Sequence, residues 1–325
     1  MNLYFSPRGR ALALILAVLL VLGAIVGIWL WERSSHTGDP SYDGEIVFEY
    51  AGEKYRLRDG IETVLVIGVD KYGDNVSSGS YNNDKRADFL SLLVIDHKAR
   101  CYRTLQINRD AMAEITVLGV GGQQVGTVRE QIALSHTYGS GLEDSCRNTR
   151  RAVSGLLFGI PIDSYVSMTM DAVGVINDMV GGVPLTVMDD LSVFDSAMTK
   201  GAELTLSAEQ ALIYVRYRSG LEDSSNMARM ARQRQYLNAL FARCGEYLNE
   251  NDGFSTEDQK ALSKLLVTDL TSARTEDLFD LLSDYEQGEI LAMEGELVER
   301  EHMEFYPDKD SLKQILIELM CEPKR

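Results

Sequence analysis

The chain has 325 residues, 45% hydrophobic and 25% charged, with 49 Asp and Glu against 32 Lys and Arg for a formal charge of −17. This is enough apolar content for one large core or two small ones, and the acidic balance excludes nucleic acid as a partner. Four cysteines (Cys101, Cys146, Cys244, Cys321) are too few for a disulfide scaffold and lack zinc-site spacing, which leaves one or two bridges open.

Residues 1–10 read as a short cytoplasmic N-terminus carrying Arg8 and Arg10. Ala11 to Trp31 contain no charged side chain. At about 1.5 Å per helical residue such a run spans the roughly 30 Å of a bilayer core. Trp29 and Trp31 stand at its far end, where an aromatic belt is expected. The run exceeds the about 7–15 residues of a signal-peptide core and no small-residue cleavage site follows, so a single-pass anchor (11–31) is expected. Residues 32–43 form a polar linker, and 44–325 an extracytoplasmic domain with its core at about 61–240.

The segment EIVFEYAGEKYRLR alternates as a hairpin turning at Ala51-Gly52. Val64–Val69 reads as a buried strand. Phe89–Ile95 and Tyr102–Ile107 are two more, joined by the polar turn Asp96–Ala99. Helical patterns cover Val128–Tyr138, Leu142–Phe158 and Ala172–Val180, the last with Asp171 as N-cap. Strands at Ser164–Met170 and Pro184–Val187 alternate with them. A capping box, Ser207 with Gln210, opens a helix through Tyr214. A long helix runs from near Asn226 to about Leu248, and 251–325 reads as further helices ending at Ser311–Met320. The sum is an α/β fold, a central mixed β-sheet flanked by helices and preceded by one transmembrane helix.

If the three early strands pair as an antiparallel meander, the end of the first, the start of the second and the end of the third share one rim. That rim collects Asp70, Arg86, Asp88, Arg109 and Asp110. Carboxylates beside arginines suit a divalent metal holding a phosphate, because hard cations take oxygen ligands and phosphate oxygens. Each residue alone reads as an ordinary strand-end turn residue; their convergence favours a site. A second cluster, Arg216, Arg218, Arg229, Arg232 and Arg234, lies in YVRYRSGLEDSSNMARMARQRQYL, which contains no lysine. With only Glu222 and Asp223 as nearby acids, bidentate oxyanion contacts outweigh a solvated helix face. With Asn226 as N-cap, Arg229 falls in the first turn among free amides, a good setting for phosphate. Gln233 lies one turn on, Arg216 and Arg218 share a face if extended, and Arg232 either flanks the site or pairs structurally. His136 reads as a core histidine or one supporting the site from behind rather than a catalytic one, Tyr214 and Tyr217 as packing residues, and His97 as a solvated turn residue.

These residues carry a resemblance. GVD at Gly68–Asp70, RAD at Arg86–Asp88, NRD at Asn108–Asp110, then IPIDSYV, GGVPLTV and YVRYR…NMARMARQRQ resemble the LytR-CpsA-Psr (LCP) family over about Ile61–Leu240. The resemblance implies a phosphotransferase outside the cytoplasmic membrane. It would move an anionic glycopolymer, such as teichoic acid or capsule, from an undecaprenyl-pyrophosphate carrier to peptidoglycan. It implies Asp70 and Asp88 as Mg²⁺ ligands, and Arg86, Arg109, Arg216, Arg218 and Arg229 as pyrophosphate contacts assisted by Gln233. Apolar helices and strands would enclose the polyprenyl tail. Three positions depart from the family pattern. Asn108 replaces a frequent Pro, with an effect expected on turn stiffness alone. Gln131 replaces a common Lys, which removes a phosphate contact. Asn226 replaces a frequent Asp, so the role of base or further ligand passes to Asp223, to Asp110 or to neither. A polyprenyl-pyrophosphate pyrophosphatase and a non-enzymatic tethered binder of lipid-linked glycopolymer are the alternatives.

Overall fold

The computed structural model describes residues 47–71, 82–218, 225–250, 256–271, 274 and 285–324. The expected anchor, the linker and Asp223 lie outside the described residues. The chain divides into two compact units. Among the described residues, one is built from 47–168 with Val267–Asp269 and Glu286 onward, the other from Thr169–Leu266 and Leu270–Tyr285.

The first unit opens with β1 (Phe48–Tyr50) and β2 (Glu53–Leu57), paired antiparallel around Ala51 and Gly52. Both turn residues have positive φ, 50° and 82°, the geometry of a two-residue turn that matches strand twist. The main sheet has six strands in the order β11-β8-β3-β4-β5-β12. These are Leu266–Thr268, Ser164–Thr169, Ile61–Val69, Ala87–Asp96, Cys101–Ile107 and Glu286–Ala292. β3, β4 and β5 form the antiparallel meander, whereas β12 runs parallel to β5, so the sheet is mixed. The hairpin of β6 (Met112–Leu118) and β7 (Gln124–Gln131) leads into a 3₁₀ helix, Ile132–Thr137, and then α1 (Glu143–Leu156). Cys146, Thr149, Ala152 and Val153 of α1 recur at helical spacing and are buried. Ala152 and Val153 share a core with Leu65, Ile67, Leu92 and Leu105 of the sheet. A later hairpin, β13 (Gly295–Glu299) with β14 (Met303–Pro307), precedes α6 (Lys309–Leu319), whose Leu312, Leu316 and Leu319 join that core. β15 (Cys321–Pro323) pairs with β2.

The second unit contains α2 (Asp171–Met179), the antiparallel pair β9 (Val183–Thr186) and β10 (Glu203–Leu206), and α3 (Ala208–Arg216). It continues with α4 (Asn226–Glu250) and α5 (Thr256–Ser263). The capping box is present in full: Ser207 Oγ accepts from the Gln210 N–H and Gln210 Oε1 from the Ser207 N–H. Gly182 has φ +91°, and a Cβ there would meet Thr205 Cγ2 at 2.7 Å, so the turn into β9 requires glycine.

Three expectations are corrected. Residues 128–138 are not one helix: cross-strand bonds to β6, with Val128 opposite Ile115, make the first part a strand and leave only a 3₁₀ turn after it. Asp171 lies in the first turn of α2, and Met170 stands at the cap without a side-chain bond. The tail is not a run of helices, because β11 to β15 punctuate it and β12 and β15 complete sheets begun far upstream. Such edge strands stay half-solvated and give a weak apolar signal. All four cysteines are free thiols, so no bridge forms.

Candidate functional site

In the first unit, the rim is shaped by a bulge. Gly68 pairs with Phe89 but Val69 pairs with Ala87, which makes Asp88 the extra residue on β4. Bulges of this kind re-aim a side chain. A Cβ on Gly68 would stand 2.8 Å from Phe89 Cβ, so the approach that forms the bulge depends on glycine. Continuing the β4–β5 register, in which Leu90 opposes Ile107, puts Asp88 opposite Arg109. Arg109 Nη1 donates to Asp88 Oδ1, and Arg109 Nε donates to Asp110 Oδ1 at 3.3 Å. Asp70 follows β3 half-buried, and Arg86 precedes β4 exposed. The meander therefore brings Asp70, Arg86, Asp88, Arg109 and Asp110 to one end of the sheet.

Two of the family departures have a local use here. Asn108 is fully buried and its Oδ1 accepts the Asp110 N–H at 3.0 Å, a turn bond that proline could not supply. The effect of Asn108 is thus more than stiffness. Gln131 Nε2 lies 3.3 Å from Asp110 Oδ1 and donates to the Met303 carbonyl at 2.6 Å. Asp110 is only 4% exposed and its carboxylate meets Arg109 Nε and Gln131 Nε2, which makes it a brace for Arg109 rather than an open base.

One positioning residue went unassigned in the sequence. Asn83 Nδ2 reaches the carbonyls of His136 at 2.9 Å and Thr137 at 3.1 Å, which pins the approach to Arg86. His136 is fully buried, and its Nδ1–H donates to the Lys85 carbonyl at 3.0 Å. Burial pushes the His136 pKa from 6.5 down to about 4, so the ring is neutral, and Cys146 Sγ lies 3.7 Å from its Nε2. Burial pushes the Cys146 thiol up to about 12, so the pair is inert packing. The core reading of His136 matches this placement. Asn83 gave no signal beyond a generic turn residue. His97, read as solvated, instead has Nε2 2.9 Å from Glu62 Oε2.

Among the described residues, no three His, Cys, Asp or Glu groups gather as a metal cage. Mg²⁺ does not need one, since it binds through one or two carboxylates and fills its octahedron with water and phosphate oxygens. The hard oxygens of Asp70 and Asp88 at one strand-end rim fit that partial donor set.

In the second unit, Ser225 rather than Asn226 caps α4: its Oγ accepts the Ala228 N–H at 3.1 Å. Asn226 becomes the first helical residue, and its Oδ1 accepts from Arg229 Nη2 at 2.6 Å. Arg229 stays near the N-terminus, 6% exposed. Arg232 resolves the choice left open for it. It is fully buried, with Nε donating to the Tyr214 carbonyl at 2.9 Å, Nη1 to Asp189 Oδ2 at 2.5 Å and Nη2 to the Tyr217 carbonyl. It caps the C-terminus of α3, where a cation also suits the macrodipole. Gln233, 5% exposed, donates to the Val215 carbonyl at 3.0 Å and reinforces the same cap. Arg216 is the exposed last residue of α3, so it and Arg218 do not share an extended segment; Tyr217 between them is extended and Arg218 is half-buried. Tyr214 is buried, and Tyr217 packs its ring 4.4 Å from Phe194.

A family model, the LytR_cpsA_psr family, matches residues 36–319. The chain belongs to the LytR-CpsA-Psr family. Among its relatives, the polyisoprenyl-teichoic acid–peptidoglycan teichoic acid transferase TagV of Bacillus subtilis (strain 168) is 28% identical over 247 residues. That match takes in 72% of this chain and 57% of TagV, little more than half its length. TagU of Halalkalibacterium halodurans, a transferase of the same printed activity, is 26% identical over 288 residues, 83% of this chain and 84% of TagU. The crystal structure of B. subtilis TagV superposes with a TM-score of 0.57 at 23% identity, covering 81% of this chain and 97% of that one. The last likeness shows that this chain has the LytR-CpsA-Psr fold, an α/β unit around a central mixed sheet.

Proposed function

We propose that this chain is a membrane-anchored phosphotransferase that moves an anionic glycopolymer from an undecaprenyl-pyrophosphate carrier to peptidoglycan. The observation that carries the reading is the bulged rim, where Asp88 meets Arg109 beside Asp70 and Arg86. Family membership and the teichoic acid transferase activity named for TagV and TagU support the substrate class. Asp70 and Asp88 would hold Mg²⁺, whose charge offsets that of the phosphate oxygens. Arg86 and Arg109 contact non-bridging oxygens of the diphosphate, and the Asp110 brace fixes the Arg109 fork. Arg216, Arg218 and Arg229 are proposed as further oxyanion contacts, with Gln233 and Arg232 holding the α3 end from which Arg216 and Arg218 emerge. An acceptor hydroxyl oxygen forms the new P–O bond, the bond to undecaprenyl phosphate breaks, and the hydroxyl proton passes to a carboxylate or water. Phosphoryl transfer asks for such positioning and charge neutralisation more than for covalent chemistry.

We place the chain in the cell membrane, spanning it once through residues 11–31, with 1–10 cytoplasmic, 32–43 a linker and 44–325 outside. No helix among the described residues is long and apolar enough to cross a membrane, and the proposed span lies outside them. Full-length protein in lipid nanodiscs, given a polyprenyl-pyrophosphate glycan donor, peptidoglycan and Mg²⁺, is expected to transfer the glycan and to stop in EDTA. Carrier cleavage without transfer would replace the reading by a pyrophosphatase. Donor binding that survives EDTA without turnover would replace it by a tethered binder.

A further inference from the structure

The β6–β7 hairpin has a chemistry unlike the other strands of its unit. From Ile115 to Val128 no residue is charged, in a protein where 25% of residues are. Charge returns at one level: Glu114 and Arg129, which bound the stretch, face each other in the register. The base of the hairpin is fastened to its unit, because Ile115 and Leu118 are buried and Asn148 Nδ2 donates to the Thr116 carbonyl at 3.0 Å. The tip is not covered. Val120 is 73% exposed and Val125 62%, and Gln123, Gln124 and Thr127 are also exposed.

The tip is also built to hold that shape. The Gly122 N–H donates to the Gly119 carbonyl at 2.9 Å, with Val120 at the apex and Gly121 at φ +84°. A Cβ on Gly119 would meet Val125 Cγ1 at 2.6 Å, so glycine there makes room for the second valine. The ladder with β6 pairs the backbone groups that face the partner strand, which lowers the cost of leaving bulk water.

We propose that this hairpin tip is a membrane-contact element that seats Val120 and Val125 in the bilayer interface. The inference rests on the anchor reading, since the lipid surface is the occupant that the chain itself keeps close. Fifteen residues separate Trp31 from Val47, the first described residue of the hairpin's own unit. At about 3.3–3.6 Å each they reach at most about 50 Å, so the unit never leaves the bilayer's neighbourhood. Tethering makes the second contact intramolecular, and a small apolar tip then suffices. An acidic protein is repelled by anionic lipid, and an uncharged stretch is the part of such a surface that can approach it. The polar Gln and Thr of the tip suit the hydrated headgroup zone and not the hydrocarbon core.

The test places an environment-sensitive nitrobenzoxadiazole label on Val120→Cys in full-length protein reconstituted into phosphatidylglycerol/phosphatidylethanolamine vesicles. Glu301→Cys is the solvent control, and unsubstituted protein gives the background from Cys101. The expected result is blue-shifted emission at position 120, quenched by spin-labelled lipid at least about threefold more than at position 301. A water-like, unquenched label at 120 in protein that floats with the vesicles would overturn the proposal. A blue shift without lipid quenching would also overturn it, in favour of a protein contact. Protein that fails to float at all would instead sink the anchor reading.

Discussion

Arg229 and Arg232 sit three residues apart on α4 and meet different surroundings. Arg232 joins the Asp189 carboxylate to two carbonyls at the end of α3. Truncating one partner of a buried pair leaves the others desolvated without a donor, a loss of about 3–5 kcal/mol. The Asp189 side chain is 29% exposed and regains some water, so Arg232→Met is expected at the lower end, about 3 kcal/mol by urea denaturation. A loss below about 1 kcal/mol would remove the structural assignment. Arg229 cannot be tested cleanly by alanine. A 6% exposed guanidinium bonded to Asn226 gives its removal a folding cost as well. Arg229→Lys keeps the charge and gives up the planar fork. Turnover is expected to fall about tenfold or more, the equivalent of one charge-assisted hydrogen bond, with Tm nearly unchanged. Full turnover in this variant would take Arg229 out of the oxyanion role.

At the scale of elements, the bulge at Gly68 links fold to site. Gly68→Ala drives a Cβ to 2.8 Å from Phe89 Cβ, an atom that no rotamer change can move. The expected cost is about 1–3 kcal/mol, the range for overpacking, with a fall in turnover as Asp88 loses its register against Arg109. Equal Tm and activity to the parent protein would show that the strands absorb the methyl and that the bulge does not set Asp88. The meander was legible because β3 and β4 carry continuous apolar runs and β5 keeps Tyr102, Leu105 and Ile107 as apolar positions, and antiparallel pairing alone then puts Asp70, Asp88 and Arg109 on one rim. Residues 128–138 were misread because Val128 and Ile132 mimic a helical stripe while one belongs to a hairpin and the other to a 3₁₀ turn. The N-cap of α4 slipped by one because Ser225 and Asn226 are both good caps, and only the Ala228 N–H decides between them. The division at Thr169 was invisible in composition, since the chain leaves the first unit there and returns only for Val267–Asp269 and from Glu286.

For the whole molecule, the buried His136 ring couples folding to pH. Its folded pKa of about 4 lies below the unfolded value of 6.5 because burial disfavours the imidazolium, although the Lys85 carbonyl and the Asp144 charge act the other way. Between those values the unfolded chain binds the extra proton, so stability is complete above pH 6.5 and falls as pH drops toward 4. A gap of about 2.5 units at 1.36 kcal/mol per unit bounds the effect near 3 kcal/mol, and about 2 kcal/mol of it is lost between pH 7 and pH 5. Asp269 opposes this trend. Burial raises its carboxyl pKa against the pull of the Tyr165 N–H and Arg150, so its contribution favours the fold at lower pH. Comparing parent and His136→Gln by urea denaturation at both pH values cancels the Asp269 term and isolates the ring. The parent is expected to lose about 2 kcal/mol more than the variant on acidification. A direct NMR titration of His136 provides the independent reading, and a folded-state pKa near 6.5 would show that the ring is not the source of acid sensitivity.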